Sequence, residues 1–179
     1  IMDQRTNYFK RVKDLLGGDF YVDINQYAEQ DFADSLNFIQ NDVNRPNRIL
    51  KEGDRFGYDY DASIFRANLW TQGQWKFDKI DLFAAVELSQ SSYYRTGNVK
   101  NGLFQDNSFG ESEKQSFSNY SIKTGITYKI DGRNYLFANA SSATRAPYFE
   151  NAFVSARTRN QLAPNLVNEK IISVEGGYL

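Results

Sequence analysis

Residues 64–88 read IFRANLWTQGQWKFDKIDLFAAVEL, and the period of this stretch decides the fold. From Ile64 to Phe77 the odd positions are Phe65, Ala67, Leu69, Thr71, Gly73, Trp75 and Phe77. The even positions include Arg66, Asn68, Gln72, Gln74 and Lys76. A period of two is that of a strand, whose side chains alternate between faces. Asp78-Lys79 reads as a two-residue turn, and alternation resumes from Ile80 to Arg95. Leu82, Ala84, Val86 and Leu88 form its apolar side, and Asp81, Glu87, Ser89 and Ser91 lie on the other. A two-residue hairpin sets Phe77 opposite Ile80, Trp75 opposite Leu82, Gly73 opposite Ala84, Thr71 opposite Val86 and Leu69 opposite Leu88. The apolar faces coincide, and a slip of one residue would put Asp81 and Glu87 among them.

A second hairpin lies downstream. Tyr120, Ile122, Thr124, Ile126, Tyr128 and Ile130 alternate with Asn119, Ser121, Lys123, Gly125, Thr127 and Lys129. Asp131-Gly132 signals a two-residue turn, which pairs Tyr128 with Tyr135 and Ile126 with Phe137. The following strand then carries Leu136, Ala138 and Ala140 on the wrong face. A last strand begins near Lys170.

The expected fold class is all-β: antiparallel strands of a transmembrane β-barrel, about five or six of them, with long loops that carry short helices. Strands are expected near 58–77, 80–95, 117–130, 133–142 and 170–179. Loops 96–116 and 142–168 are long and polar, while the turns at 78–79 and 131–132 are tight. Tight turns at one edge and long loops at the other are the asymmetry of outer-membrane barrels. Fourteen residues (64–77) extend over about 46 Å, beyond the 9–11 residues that cross a bilayer. Trp75, Phe77, Tyr128 and Tyr135 sit beside the tight turns, as an interfacial aromatic girdle would.

Residues 1–55 are expected to form a long extracellular loop region. Asn7 is a cap for a helix over Tyr8–Leu16 with Gly17-Gly18 as its stop, and Asp34 for one over Ser35–Val43. Phe20–Ile24 is a short strand candidate. The barrel hairpins then occupy 56–179. Ile1 follows no signal peptide and Gly177-Tyr178-Leu179 falls inside a strand, so a segment of a longer polypeptide is expected.

Composition narrows function. The 179 residues hold 21 Lys and Arg, 22 Asp and Glu, and neither His nor Cys. That removes disulfides, thiolate and His-based catalysis, and the commonest metal ligands. A net charge of −1 offers no basic surface for nucleic acid. A mean hydropathy of −0.61 excludes transmembrane helices but not a barrel, whose two faces average to a polar mean. No catalytic, cofactor-binding or metal-ligating residue is expected. Asp59 and Asp61 share a strand face without a calcium-loop pattern, so a solvated polar face is the plainer reading. Arg66, Asn68, Gln72, Gln74, Glu87, Lys123 and Lys129 are the lumen-facing candidates. The loop aromatics Tyr93, Tyr94, Phe104, Phe109, Tyr148, Phe149 and Phe153 either stack on sugars or peptides or pack among themselves.

Two segments resemble TonB-dependent outer-membrane receptors. Ala143-Thr144-Arg145-Ala146-Pro147-Tyr148-Phe149-Glu150 resembles the family's RAP-x-F-x-E-L motif, in which a barrel strand enters an extracellular loop. Ala163-Pro164-Asn165-Leu166-Val167-Asn168-Glu169-Lys170, followed by Val174-Glu175-Gly176-Gly177-Tyr178, resembles its NPNLKPE…YELGxxY signature. Ala163 and Asn168 depart from it, and no Leu follows Glu150. The motif residues are thus Arg145, Ala146, Pro147, Pro164, Asn165, Leu166 and Glu169. Leu15-Leu16-Gly17-Gly18-Asp19-Phe20 and Lys51–Tyr58 are similar to the Bacteroidetes branch that carries a carboxypeptidase-regulatory-like N-terminal domain. The resemblance implies a 22-strand barrel in the bacterial outer membrane around a plug. It also implies energy from an inner-membrane TonB complex, import of a nutrient (glycan, peptide or metal chelate), and contact with outer-membrane lipid. Two other readings stand beside it. A soluble β-sandwich binding carbohydrate or peptide would bury Leu69, Leu88, Ile122 and Ile126 between sheets, and a passive porin would need no energy source.

Overall fold

The computed structural model describes residues 1–32 and 35–179. In chain order its elements are β1 (Met2–Arg11), β2 (Tyr21–Val22), α1 (Gln26–Phe32), β3 (Ile49–Leu50), β4 (Arg55–Lys76) and β5 (Ile80–Gly97). A 3₁₀ turn (Gly102–Phe104), β6 (Gly110–Glu111), β7 (Gln115–Lys129), β8 (Tyr135–Arg145), α2 (Phe149–Ala152) and β9 (Glu169–Tyr178) complete the chain. One antiparallel sheet runs β1-β4-β5-β7-β8-β9, with β6 against β5, and it is not closed.

The first hairpin has the register its sequence dictates. Leu69 faces Leu88, Thr71 faces Val86, Gly73 faces Ala84 and Trp75 faces Leu82. Phe77 N–H donates to the Ile80 carbonyl at 2.8 Å, closing the two-residue turn. The apolar alternation therefore wins at every pair.

The second hairpin is shifted by one residue. Tyr128 pairs with Leu136 and Ile126 with Ala138, not with Tyr135 and Phe137. The cause is the Asp131 side chain. Its Oδ1 accepts from the amides of Arg133 and Asn134 at 2.8 and 2.9 Å, and Ile130 N–H reaches the Asn134 carbonyl at 2.9 Å. An Asx-type turn thereby takes in three residues, 131–133. With that shift Leu136, Ala138 and Ala140 join the apolar face. Tyr135 leaves the proposed girdle for the other face, and Tyr178, opposite Leu136, takes a place in it.

β1 replaces the helix expected over Tyr8–Leu16. It pairs with β4 from Met2↔Arg66 to Arg11↔Arg55, with a shift between Phe9 and Lys10. Its partner residues lie almost wholly beyond the apolar part of β4. Neither face of β1 carries an apolar row there, so no period-two hydrophobicity marks it, and edge pairing outweighs helix propensity. The helix of this region falls at α1, where Asn25 Oδ1 accepts from the Tyr27 and Ala28 amides. Asp34 is outside the described residues. Ser35–Ile39 forms turns, and Gln40 bridges to Ile24. Phe20–Ile24 contributes β2 and that bridge.

The excursion 12–54 is held by polar contacts. Buried Asp23 accepts from Asn41 at 2.8 Å, Arg48 at 3.0 Å and the Gly57 amide at 3.0 Å. Such satisfied networks fix a fold without a large apolar core.

The sheet has two unlike faces. On one, Leu69 is 77% exposed, Leu88 60%, Ile122 44%, Ile126 43% and Val174 77%. A soluble sandwich would have buried these residues. On β4 the apolar row runs from Phe65 to Trp75, which matches the 9–11 residues of a membrane strand. Trp75, Phe77, Tyr128 and Tyr178 end it near the tight turns. The opposite face is polar along most of its length and buried only at the end away from the tight turns. There Tyr60, Ala62, Tyr93 and Phe117 lie beneath Phe149, Ala152 and Phe153 of the 146–168 loop.

Candidate functional site

Alternation along paired strands places all seven lumen candidates on the loop-covered face. Arg66 stands opposite Ser91, Asn68 opposite Ser89, Gln72 opposite Ala85, Gln74 opposite Phe83 and Glu87 opposite Trp70. Lys123 stands opposite Ala85 and Lys129 opposite Tyr135. Asn68 Nδ2 donates to Glu87 Oε1 at 3.1 Å, and Lys129 pairs with Asp81 at 2.8 Å. These groups form a row along the strands and do not converge on one point.

The motif residues gather at the exit of β8 and the entry of β9. Arg145, last in β8, pairs with Glu169, first in β9, at 2.6 Å, and its guanidinium lies 5.1 Å from the Tyr148 ring. The pair closes the base of the 146–168 loop. Ala146 and Leu166 pack against the buried cluster, and Asn165 takes the left-handed conformation at φ 58°. Pro164 lies in the same return segment. Asn168, which departs from the motif's Pro, donates from Nδ2 to the Ser118 carbonyl of β7 at 2.7 Å. The substitution thus adds an anchor on the wall.

Within the loop, aromatic packing draws the chain onto the sheet. Phe149 meets Tyr93 edge-on with ring centroids 6.0 Å apart, and Phe149 and Phe153 lie 5.0 Å apart. Val154 N–H donates to the Gln161 carbonyl at 3.0 Å, so residues 154–161 form a narrow return. Arg95 of β5 pins it from below. Its side chain is 1% exposed. Nε donates to the Ala156 carbonyl at 2.6 Å, and Nη1 donates to the Ser108 carbonyl at 2.9 Å and to Asn160 Oδ1. Burial pulls the guanidinium down to about 10, so it stays charged at neutral pH. Gly97 permits this closeness, because a Cβ there would collide with the Ser108 carbonyl. Neither composition nor period marks Arg95, since a single Arg near a strand end gives no signal until its acceptors are known.

The other face carries a second polar knot beyond the apolar row. Asp61 pairs with Arg5 at 2.8 Å, Asp59 pairs with Arg55 at 2.9 Å and accepts from Asn7 at 2.8 Å, and Asn98 donates to both carboxylates. Burial alone would raise the two carboxyls. For Asp59 the donors Asn98, Asn7 and Arg55 outweigh it, and for Asp61 the donors Arg5, Asn98 and Asn7 do, so both are held below the usual carboxylate range. A depressed carboxyl stabilises the fold above its ordinary pKa of about 3.9 and loses that contribution as pH falls through the folded value. Amide exchange of Arg5–Phe9 should therefore be flat from pH 7 to about 5 and accelerate below about 4, after correction for intrinsic rates. Unchanged protection at pH 3 would show that the carboxylates do not hold β1.

A sheet with an exposed apolar row of membrane length, a polar opposite face and loops folded over one end is the wall of a membrane β-barrel. Residues 2–178 match the family model for the TonB dependent receptor-like β-barrel, and the chain belongs to that family. Its place is the bacterial outer membrane, and the family's members are transporters. Comparison with curated proteins and with solved structures gives no match.

Proposed function

We propose that this chain is part of the wall of an active importer, with the loop-covered face lining the lumen and the long loops at the cell exterior. One observation carries the reading: a lipid-length apolar row on one face backs a row of Arg66, Asn68, Gln72, Gln74, Glu87, Lys123 and Lys129 on the other. Hydrated polar side chains offer a solute exchangeable hydrogen bonds along the wall, while the outer row satisfies the bilayer. A plug within the barrel, energy from an inner-membrane TonB complex and a nutrient as cargo complete the proposal. Segments 15–20 and 51–58 support membership of the Bacteroidetes branch.

The test compares growth of wild-type and receptor-deleted cells across single nutrient sources. A nutrient whose uptake falls on receptor deletion, and equally on loss of TonB, supports active import. Uptake that survives loss of TonB and of the proton-motive force marks a passive pore.

A further inference from the structure

We propose that the cavity between the β4 tyrosines and the 154–161 return binds an organic anion built on a ring, its acid group on Arg157 and its ring against the tyrosines. The inference rests on the reading that the loop-covered face opens to the medium. The cavity is about 380 Å³ and is lined by Tyr8, Tyr58, Tyr60, Phe153, Glu150 and Arg157 among others. That volume lies in the range of small-molecule sites, about 300–1,000 Å³.

Charge selects the ligand. The chain as a whole is nearly neutral, and Arg5, Arg45, Arg48, Arg55, Lys129 and Arg145 all have carboxylate partners. Three guanidiniums on or beneath the 154–161 return stand apart. Arg95, Arg157 and Arg159 form no ion pair among the described residues. Each lies over a ring instead: Arg95 5.2 Å from Tyr60, Arg157 5.4 Å from Tyr58 and Arg159 4.4 Å from Phe104. The donors of Arg95 are spent on carbonyl and amide oxygens, so its charge is not neutralised. Glu150 is the one carboxylate lining the cavity. Of the three guanidiniums only Arg157 lines the cavity, so the lining itself is balanced. The cations behind its wall, Arg95 against Tyr60 and Lys10 5.7 Å from the Tyr58 ring, have no carboxylate partner among the described residues and tip the site towards an anion.

Shape selects the rest. Tyr8 and Tyr60 are stacked at 5.1 Å with 13° between planes, and Tyr58 lies 6.0 Å from Tyr60. Tyr60 is buried behind Tyr8 and Arg95 and serves as backing, while the half-buried Tyr8 and Tyr58 supply the aromatic surface for a sugar or aryl ring. Arg157 is carried on a fixed turn, with the Thr158 and Arg159 amides donating to the Ser155 carbonyl at 3.1 Å and Arg95 holding Ala156. The turn thus fixes the main chain that carries Arg157, and its guanidinium, 5.4 Å from the Tyr58 ring, keeps its donors free among the described residues for a carboxylate.

Calorimetry on the detergent-purified receptor tests this with three probes: digalacturonate, the neutral disaccharide galactobiose and 2-naphthoate. An acidic probe should bind at least about tenfold more tightly than galactobiose. Raising the salt should shrink that margin. Arg157→Gln should abolish it without moving the melting temperature, and Tyr58→Ala should weaken every probe. Preference for digalacturonate identifies an acidic sugar, and preference for 2-naphthoate an aryl acid. Equal binding of the neutral and acidic probes, a margin that survives Arg157→Gln, or no binding at all overturns the proposal. Val154→Cys, treated with a membrane-impermeant maleimide on intact cells, separates the two levels. Without labelling, the open-lumen reading falls and this proposal with it. Labelling without anion preference overturns the ligand class alone.

Discussion

Arginine at Ala84 costs the receptor about 2–4 kcal/mol of folding stability, whereas arginine at Ala85 costs under about 1 kcal/mol. The two residues are identical and adjacent, so helix or strand propensity, chain position and depth in the membrane are shared. They differ only in face. Ala84 lies between Gly73 and Thr124 in the middle of the apolar row, and Ala85 lies between Gln72 and Lys123 in the polar row. A guanidinium at Ala84 must sit in hydrocarbon or drag water and headgroups towards it. One at Ala85 meets water, with Glu87 on the same face and Lys123 across from it, so attraction and repulsion offset under solvent screening. Reversible unfolding from lipid vesicles in urea measures both. Equal penalties would show that lipid does not distinguish the faces, and the placing of the seven polar candidates along a lumen would fall with that result.

The sheet was legible where one face meets lipid. Between Ile64 and Leu88 every apolar pair agrees with a single register, because a slip of one residue puts Asp81 and Glu87 in hydrocarbon. Legibility stops where that solvent asymmetry stops. β1 pairs with β4 beyond the apolar row, and Asp3, Arg5 and Asn7 on one face carry no more hydrophobic signal than Gln4 and Thr6 on the other. The turn after Ile130 failed for a different reason. Asp131-Gly132 is a strong local signal for a two-residue hairpin, yet the Asp131 carboxylate bonds the next two free amides and lengthens the turn. A clue was present: Leu136, Ala138 and Ala140 on the wrong face was the cost of the wrong register, and one residue of shift removes it. At the site, the motif residues Arg145 and Glu169 were recognisable as text, and their ion pair explains why both ends of the loop carry them. Arg95 and Arg157 were not recognisable. Their significance lies in the carboxylates they lack, and sequence gives no account of pairing across 60 residues.

Arg95→Leu releases the 146–168 loop from the wall, at a cost of about 3–5 kcal/mol to the loop-docked state. The replacement keeps bulk over Tyr60 but supplies no donor. Three oxygens, on Ala156, Ser108 and Asn160, are then left in a space that admits little water. Arg95→Lys recovers only part of the loss, since one ammonium on a flexible stem cannot reproduce a planar fork that reaches two separate loops. The barrel wall itself persists, because β5 is held on both sides by main-chain ladders to β4 and β7 that the side chain does not touch. The two effects therefore separate in one experiment. Limited proteolysis of the vesicle-embedded receptor should cut Arg95→Leu within residues 146–168 far faster than the wild type, while the heat-resistant migration of the folded barrel is unchanged. Asn160→Ala in the same background should add little, because its oxygen has already lost its donor and only the long 3.4 Å contact from its Nδ2 to the Gly110 carbonyl remains to be lost. A loop that stays protected in Arg95→Leu would mean that Phe149 and Phe153 dock it without help. The buried charge would then be a net cost to the fold, its retention explained only by what an unneutralised guanidinium does for an anion at the neighbouring cavity.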